Sequence, residues 1–349
     1  MIDLKLLRSN IEFVFHNYLR RNFYLNIDLF KSLDFKVRTV KFNLDLLRNK
    51  HKNKSENFKV ALKKKFPVDT ILEDVELLKK RISEEENELV IFENDFNDFL
   101  LSLPNLIHDS VPYAYNFSDI FEIRTFSRKV ELDINTNFYI NDKYIDFKSS
   151  ANVSGSGFVY LLDDIAVLHR AICNFMLDFH LNNHGYKEVY SPVLVNEKSM
   201  YMTGHFPKFC NDQFKIDNSN LWLIPTAEVT LSNLVCNKII DEASFPLKYV
   251  SHTPCFRKEV GSYGSNVKGM IRQHQFEKVE LVQVVKAKDS YYVLDELISH
   301  VENILKALDL SYRVISLNDK DIGFTSSKTY DIEAWFPSKK KYIELSSCS

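Results

Sequence analysis

The sequence has little glycine and proline, with 8 and 9 in 349 residues, which argues against a long disordered segment. Its five cysteines are an odd number without a CxxC pair, so neither a disulfide framework nor a zinc site is expected and a reduced compartment is predicted. No run approaches the roughly 20 apolar residues of a membrane-spanning helix, and the N-terminus lacks a signal-peptide core. We therefore expect a cytoplasmic protein without membrane contact.

A strong excess of charge of one sign is also missing, because the net charge is −2. This balance excludes nucleic-acid binding through bulk charge, so any RNA site would need basic residues concentrated in one place. Apolar residues make up 45% of the chain. That fraction and the length support two or three domains with sizeable cores.

Residues 28–103 carry an apolar repeat of about 3.5 residues, which is typical of a coiled coil. Pro67 interrupts the repeat, because proline disrupts a helix interior. The pattern predicts an antiparallel hairpin of two helices of roughly 35 residues, about 50 Å long. Glu85 is the single break in a seam formed by Leu33, Val37, Val40, Leu44, Leu47, Ile71, Val75, Leu78, Ile82, Leu89, Phe92, Phe96, Phe99 and Leu103.

The two predicted helices differ in charge. Residues 36–65 contain eleven Lys or Arg and two acidic residues, whereas residues 69–99 contain eleven Asp or Glu and three basic residues. Interhelical pairing and a solvated face explain part of this pattern. Opposite the tip, however, lie Lys79, Lys80 and Arg81, which cannot neutralise other lysines. RNA binding and a solvated face stay equally open for the tip lysines: Lys50, Lys52, Lys54, Lys63, Lys64 and Lys65.

The remaining chain predicts an α+β fold with a mainly antiparallel sheet flanked by helices. Apolar periodicity indicates helices over 163–182, ending at Gly185, and over 291–308. Residues 113–160 are expected to form short strands and turns. Strand-like runs cover residues 188–195, 221–224, 248–260, 270–286 and 332–336.

Residues 252–285 predict a β-hairpin around a Gly/Ser/Asn-rich loop at 261–269. Strand alternation would place Cys255, Arg257 and Glu259 on one face of the first strand. It would place Arg272, His274, Phe276, Lys278 and Glu280 on one face of the second. A plain solvent face explains this polarity, but Arg, Phe and Glu are also the groups that bind phosphate, adenine and ammonium.

The segments FRKE (256–259) and GMIRQHQFEKVE (269–280) resemble motif 2 of class II aminoacyl-tRNA synthetases. Their amino-acid sequences are similar to those of seryl-tRNA synthetases. The same resemblance covers, in order, PNL at 104–106, PVLVN at 192–196, TGHFPKF at 203–209, IPTAEV at 224–229, KTYDIEAWFP at 328–337 and ELSSCS at 344–349. So many ordered matches are more specific than any single motif.

The resemblance implies a serine–tRNA ligase that activates L-serine with ATP and Mg²⁺ and charges tRNA(Ser), with tRNA(Sec) as a further candidate. It implies serine contacts at Thr226, Ala227, Glu228 and Glu280. It implies catalytic roles for Arg257, Glu259 and Glu344, and Mg²⁺ ligation by Glu344 and Ser347. It implies ATP contacts at Arg257, Lys258, Glu259, Arg272, Phe276, Glu344, Leu345, Ser346 and Ser347. Without the resemblance, Thr226 could equally be a helix N-cap and Glu344 an ordinary strand residue.

The resemblance further implies a tRNA-binding domain at 1–104 and a catalytic domain at 105–349. It implies a homodimer formed through the motif 1 region at 163–209. Two other interpretations stay open: a noncatalytic tRNA-binding or regulatory relative, and a ligase that charges a carrier protein. The basic hairpin argues against a ligase that charges a carrier protein, since such a ligase does not need a tRNA-binding arm.

The sequence departs from the family pattern at several positions. Motif 3 would follow Ser349, so the chain is expected to be an incomplete fragment. Gly157 stands where a basic residue is usual. His205 and Phe206 stand where Gln and Leu are usual in the TGHFPKF segment, and Lys258 and Val260 stand where Ser and Ala are common. None of these changes removes an assigned contact.

Overall fold

The computed structural model describes residues 2–116, 119–127, 143–259 and 270–349. It divides into two compact units, Met1–Ile107 and His108–Ser349. Within these described ranges, no helix has the length and apolar character needed to cross a membrane. The predicted loop at 261–269 lies outside the described residues.

The first unit is helical. Asn26 begins its longest helix, because its side chain accepts a hydrogen bond from the Leu29 N–H at 3.0 Å. Short helices pack on the base of the hairpin around Leu7, Val14 and Tyr18, which are fully buried. The helices are α1 (Leu4–Ser9), α2 (Ile11–Arg20), α3 (Ile27–Lys63) and α4 (Asp69–Leu101).

The predicted helical hairpin is confirmed. Helices α3 and α4 contain 37 and 33 residues, so the longer spans about 55 Å. Leu33, Val37, Val40 and Leu44 are buried along α3, as the repeat predicts. On α4 the seam is buried mainly near the base, at Phe96 and Leu100, whereas Phe99 is half-buried.

The second unit mixes helices with antiparallel strands, as predicted. Its largest described sheet has the order β1-β9-β10-β11 and is antiparallel throughout. A second sheet has the order β4-β7-β8, in which β4 runs parallel to β7. The strands are β1 (Phe121–Phe126), β2 (Ile145–Asp146), β3 (Tyr160–Leu161), β4 (Lys187–Glu188), β5 (Leu194–Asn196), β6 (Leu221–Leu223), β7 (Leu247–Phe256), β8 (Gln275–Val284), β9 (Tyr312–Ser316), β10 (Tyr330–Phe336) and β11 (Lys341–Cys348).

The helices of this unit cover the sheets. Leu294 and Ile298 of α9 pack on Val314 and Ile332 of the four-stranded sheet. The predicted C-cap of α6 is confirmed, because Gly185 adopts φ 69° in the left-handed region that glycine tolerates. The helices are α5 (Phe147–Ser154), α6 (Asp163–His184), α7 (Glu197–Met202), α8 (Glu228–Asn233) and α9 (Ser290–Ala307).

Several predicted strands are wrong in extent. The run at 188–195 splits into β4 and β5, which pair with different strands. Within 113–160, residues 147–154 form helix α5, begun by Asp146, whose side chain accepts a hydrogen bond from the Ser149 N–H at 2.8 Å. The part of this range at 128–142 lies outside the described residues. The helix at 147–154 was not predicted, because a polar helix that begins with a cap lacks a strong apolar periodicity.

Three histidines form a compact cluster between α6, α9 and β7. The rings of His184 and His300 stack with centroids 4.0 Å apart, and His180 Nδ1 lies 2.9 Å from His184 Nδ1. Burial, together with the neighbouring histidines, lowers the pKa of both His180 and His300 to about 4. The groups facing the cluster are Tyr186, Lys248, Gln283, Glu296 and Asn303.

We expect acid to destabilise the second unit through this cluster. An unfolded histidine binds a proton near pH 6.5, whereas the folded His180 and His300 resist it until about pH 4. Stability is therefore complete above the unfolded pKa and is lost as pH falls from about 6.5 toward 4.

Denaturant unfolding at a series of pH values checks this expectation. His300→Gln should flatten the dependence of the free energy of unfolding on pH, while His51→Gln on α3 of the first unit should leave it unchanged. A wild-type profile that is flat between about pH 7 and pH 5 would contradict the role of the cluster.

Candidate active site

The candidate site is built on the hairpin of β7 and β8. Its register pairs Ser251 with Glu280, Thr253 with Lys278 and Cys255 with Phe276, so these six side chains share one face. The predicted strands are longer than the observed ones, since β7 ends at Phe256 and β8 begins at Gln275. Arg257, Glu259, Arg272 and His274 lie in the segments that continue past the strands.

One further hydrogen bond extends the ladder past the strands, since the Arg257 N–H donates to the His274 carbonyl at 2.9 Å. The His274 N–H in turn donates to the Gly157 carbonyl at 2.8 Å. A Cβ at Gly157 would lie 2.4 Å from the His274 ring, and the φ of Gly157 is +85°. The glycine that replaces a basic family residue therefore lets this segment approach the hairpin.

The predicted serine contacts come together around a short polar chain. The buried Thr226 hydroxyl donates to Glu280 at 2.5 Å, and the Lys278 ammonium lies 2.5 Å from the same carboxylate. The Glu228 N–H donates to the Thr226 hydroxyl oxygen at 3.2 Å, so Thr226 also supports the start of α8. Ala227, fully buried, occupies the position before this helix.

Glu228 lies within electrostatic reach of Glu280, Lys278 and Arg257. Its side chain is open to solvent, yet the surrounding protein removes much of its hydration. This desolvation, followed by the like charge of Glu280, raises the pKa of Glu228, while Lys278 and Arg257 oppose the shift. Two carboxylates beside one ammonium form a pocket that suits a small cationic group.

The predicted nucleotide contacts lie at the open end of the hairpin. The Arg257 guanidinium is exposed and lies 5.2 Å from the centroid of the Phe276 ring. Arg272 Nη1 is 2.8 Å from Glu259 Oε2. The Lys258 ammonium lies 5.8 Å from the centre of the Phe214 ring. An exposed guanidinium beside an aromatic face is a suitable arrangement for a purine nucleotide phosphate.

A register shift in β11 decides which face its side chains share. Glu344 pairs with Glu333, and Ser347 pairs with Asp331, with an irregularity between the two pairs. A spacing of three would normally place Glu344 and Ser347 on opposite faces, but one extra residue in β11 returns them to the same face. Leu345, at this shift, is half exposed, and Ser346 pairs with Ile332.

The same face carries a carboxylate that is bonded to Ser347 but leaves one oxygen unpaired. Asp331 is buried, and its Oδ1 has no hydrogen-bond partner within the described ranges. Across those ranges, no three His, Cys, Asp or Glu side chains are arranged to hold a metal ion by themselves. This donor set fits Mg²⁺ that arrives with nucleotide, since Mg²⁺ usually takes one or two carboxylates together with phosphates and waters.

Two residues near the site were not assigned from the sequence. Lys278 forms an ion pair with Glu280. The sequence feature that could have pointed to Lys278 is its position on the same face of β8 as Phe276 and Glu280. His205 lies near Arg257, Lys278 and Glu280; burial, then the two cations, lowers the pKa of His205 to about 4. The sequence feature that could have pointed to His205 is that a histidine stands in the TGHFPKF segment where glutamine is usual.

The tip of the hairpin forms a second candidate site. The prediction that all six tip lysines are unneutralised is wrong for Lys54, whose ammonium lies 2.7 Å from Asp74. The offset of the two helices brings this acidic residue opposite it. In the described part of the chain, no carboxylate lies within ion-pair distance of Lys50, Lys52, Lys63, Lys64 or Lys65. Nearer the base, Lys41 and Arg48 pair with Glu93 and Glu86.

Comparison with known proteins agrees with this architecture. Residues 213–349 match the family described as "tRNA synthetase class II core domain (G, H, P, S and T)", and residues 1–107 match the "Seryl-tRNA synthetase N-terminal domain". The chain is 41% identical over 354 residues to a serine–tRNA ligase of Coxiella burnetii, covering 100% of this chain and 84% of the relative. It is 40% identical to the serine–tRNA ligase of Saccharophagus degradans, covering 83% of that protein.

A solved structure is similar over the same extent. The crystal structure of seryl-tRNA synthetase from Pyrococcus horikoshii complexed with ATP superposes with a TM-score of 0.86 at 32% identity. It covers 99% of this chain and 83% of that one.

The fold and the family match define an ATP-using class II aminoacyl-tRNA synthetase. More narrowly, the chain belongs to the seryl-tRNA synthetase family, and its activity is that of a serine–tRNA ligase.

Proposed function

We propose that the β7–β8 hairpin and β11 together form the site where serine is activated. Thr226, Glu228 and Glu280 receive serine, with the carboxylates facing its ammonium group. Arg257 receives the α-phosphate, and Phe276 stacks on adenine. The observation that carries the proposal is the Thr226–Glu280–Lys278 chain, which places an acidic pocket beside an exposed arginine–phenylalanine pair.

The chemistry requires charge to be offset at the phosphorus. The serine carboxylate attacks the α-phosphate and pyrophosphate leaves. The terminal ribose hydroxyl of tRNA then attacks the seryl carbonyl, and AMP leaves. Arg257 offsets charge that develops on the α-phosphoryl oxygens, while Arg272 and its partner Glu259 line the nucleotide side, with Lys258 and Ser346 as further contacts. Glu344 and Ser347 would hold Mg²⁺, which neutralises phosphate charge when it is bound.

Glu280→Gln tests the serine pocket. The change keeps the shape of the side chain but removes the charge that pairs with ammonium. A hydrogen bond to a charged group contributes about 1.5–3 kcal/mol, so kcat/KM for serine should fall about 10- to 100-fold while KM for ATP changes little. Serine-dependent ATP–pyrophosphate exchange in the full-length protein measures both constants.

The matched control is Glu277→Gln, on the same strand. Glu277 pairs with His252 on the opposite face, at 3.0 Å, and should not affect serine. Equal losses in the two variants would contradict a specific role for Glu280.

We also propose that the first unit binds tRNA(Ser) through the tip of the α3–α4 hairpin, and that the second unit catalyses both reaction steps. The support is the group of tip lysines that lack carboxylate partners, together with the match to a seryl-tRNA synthetase N-terminal domain. The 107 residues matched by that family include the whole hairpin. A projecting basic tip suits the phosphate backbone of an extended RNA arm.

A homodimer is the proposed assembly, formed through α6 and the segment that follows it. Helix α6 has 22 residues, yet only Cys173 and His180 are buried in one chain. Its apolar residues Val167 and Leu168 are more than half exposed, and so is Tyr190. An apolar helix face of this kind usually requires a partner surface, and a two-fold axis would supply an identical one.

Leu168→Asp should convert the dimer into monomers at micromolar concentration, because it places a charge in the proposed apolar interface. Sedimentation velocity measures the change. The matched control is Leu62→Asp on the hairpin, since Leu62 is 52% exposed and Leu168 is 51% exposed. A wild-type monomer, or dissociation by both variants, would count against this interface.

A further inference from the structure

His274 is tied by its main chain to two other segments. Its carbonyl accepts a hydrogen bond from the Arg257 N–H at 2.9 Å, and its N–H donates to the Gly157 carbonyl at 2.8 Å. The last residue pair of the β7–β8 ladder is Phe256 with Gln275. His274 and Arg257 therefore occupy the next pair position, and the imidazole projects from a fixed point at the open end of the hairpin.

The backbones of this pair make only half of the usual exchange of hydrogen bonds. Two residues at a hydrogen-bonded position of an antiparallel ladder normally donate to each other through both of their N–H groups. The Arg257 N–H makes its bond, whereas the His274 N–H is directed to Gly157. The carbonyl of Arg257 consequently does not receive the backbone donor that a continued ladder would provide.

The imidazole of His274 supplies a donor to that carbonyl. His274 Nδ1 lies 3.0 Å from the Arg257 carbonyl oxygen. A carbonyl oxygen can only accept, so Nδ1 carries the proton of this hydrogen bond. Nδ1 is protonated in this tautomer of the neutral ring and also in the charged ring, so the donor is present in both states.

Neighbouring groups hold the imidazole in this orientation. The ring centroids of Phe158 and Phe214 lie 5.4 Å and 6.2 Å from that of His274. The ring edge at Cδ2 faces Gly157, where a Cβ would approach it to 2.4 Å. A side chain that is already ordered by packing makes its hydrogen bond at a small further cost in conformational entropy.

We propose that His274 is a positioning residue that fixes the main chain of Arg257, so that the guanidinium meets the α-phosphate of ATP. The inference rests on the proposed role of Arg257. Strand β7 ends at Phe256, so Arg257 lies beyond the regular ladder. The main chain of His274 holds the N–H of Arg257, and the imidazole holds its carbonyl. Small displacements of a group that acts in the transition state lower the rate strongly.

The test compares His274→Leu with His274→Asn in serine-dependent ATP–pyrophosphate exchange by the full-length protein. The two new side chains have nearly the same shape, but only asparagine can donate, from an amide nitrogen that replaces Nδ1. His274→Leu should lower kcat about tenfold and change KM for serine and ATP little, because the Arg257 carbonyl loses its donor. His274→Asn should retain a rate within about threefold of the wild type.

His252→Leu is the matched control, since it removes a histidine of the same hairpin that pairs with Glu277. It should leave kcat and both KM values unchanged. A normal kcat in His274→Leu would overturn the proposal, and so would equal losses in His274→Leu and His274→Asn or a loss confined to KM.

A double-mutant cycle separates positioning of Arg257 from a general structural role. If His274 acts through the guanidinium, its leucine and asparagine variants should have equal rates in an Arg257→Ala background. A tenfold difference that persists in that background would overturn the proposal. Near-normal exchange by Arg257→Ala alone would instead remove the proposed role of Arg257, which distinguishes the two failures.

Discussion

Replacing Arg257 by alanine is expected to slow serine-dependent ATP–pyrophosphate exchange by about 100- to 1,000-fold, a loss of about 3–4 kcal/mol in transition-state stabilisation. The reason is geometric. The guanidinium is exposed at the open end of the hairpin, beside Phe276, and the Glu228–Glu280 pocket lies along the same face. It is therefore the charged group best placed to meet the α-phosphate of a nucleotide stacked on that ring.

Because the Arg257 side chain is exposed, its replacement should affect activity without affecting stability. The side chain buries little surface, so Arg257→Ala should leave the melting temperature within about 2 °C of the wild type. Arg257→Lys should recover only part of the rate, because an ammonium lacks the planar fork that binds a phosphate through two hydrogen bonds. Near-normal exchange by a folded Arg257→Ala protein would remove Arg257 from the proposed mechanism.

The long helices could be predicted because their stability depends on a local repeat. The α3 and α4 seam, the span of α6 and the span of α9 follow directly from apolar spacing. The strands β9 and β11 were missed, and β9 and β10 pair across a connection that carries no periodic signal. Strand pairing over such distances depends on tertiary packing, which a local pattern does not encode.

The residues of the proposed site could be named from motif resemblance. Their arrangement in space could not be predicted from it. Simple alternation placed Arg257 on the strand, whereas β7 ends at Phe256. The spacing of Glu344 and Ser347 predicts opposite faces, and only the irregularity opposite Ile332 and Glu333 brings them together. Irregularities of this kind arise from pairing with a neighbouring strand.

Neutralising the tip of the hairpin is the second change with a large expected effect. Replacing Lys50, Lys52, Lys63, Lys64 and Lys65 with glutamine should weaken binding of tRNA(Ser) by at least about 100-fold at low salt. The slope of log affinity against log salt should flatten by about 0.9 for each lysine that contacts a phosphate. Filter binding across a salt series measures both quantities.

The structure supplies an internal comparison within the same cluster. Lys54 is already paired with Asp74, so Lys54→Gln should change the salt slope less than any of the other tip lysines that contacts RNA. At the base of the hairpin, Lys36 lies over the Phe92 ring and Lys41 pairs with Glu93. Neutralising these two provides a control on the same helix, with little expected loss of tRNA affinity.

Exchange of pyrophosphate into ATP involves no tRNA, and the proposed activation site lies in the other unit of the chain. The five-lysine variant should therefore retain exchange while aminoacylation at limiting tRNA falls in parallel with affinity. If exchange and aminoacylation fall together, the lysines support folding. If neither falls, they form a solvated face, as the charge pattern alone also allowed. Only a selective loss of aminoacylation, with a flatter salt dependence, assigns the tip to the phosphates of tRNA.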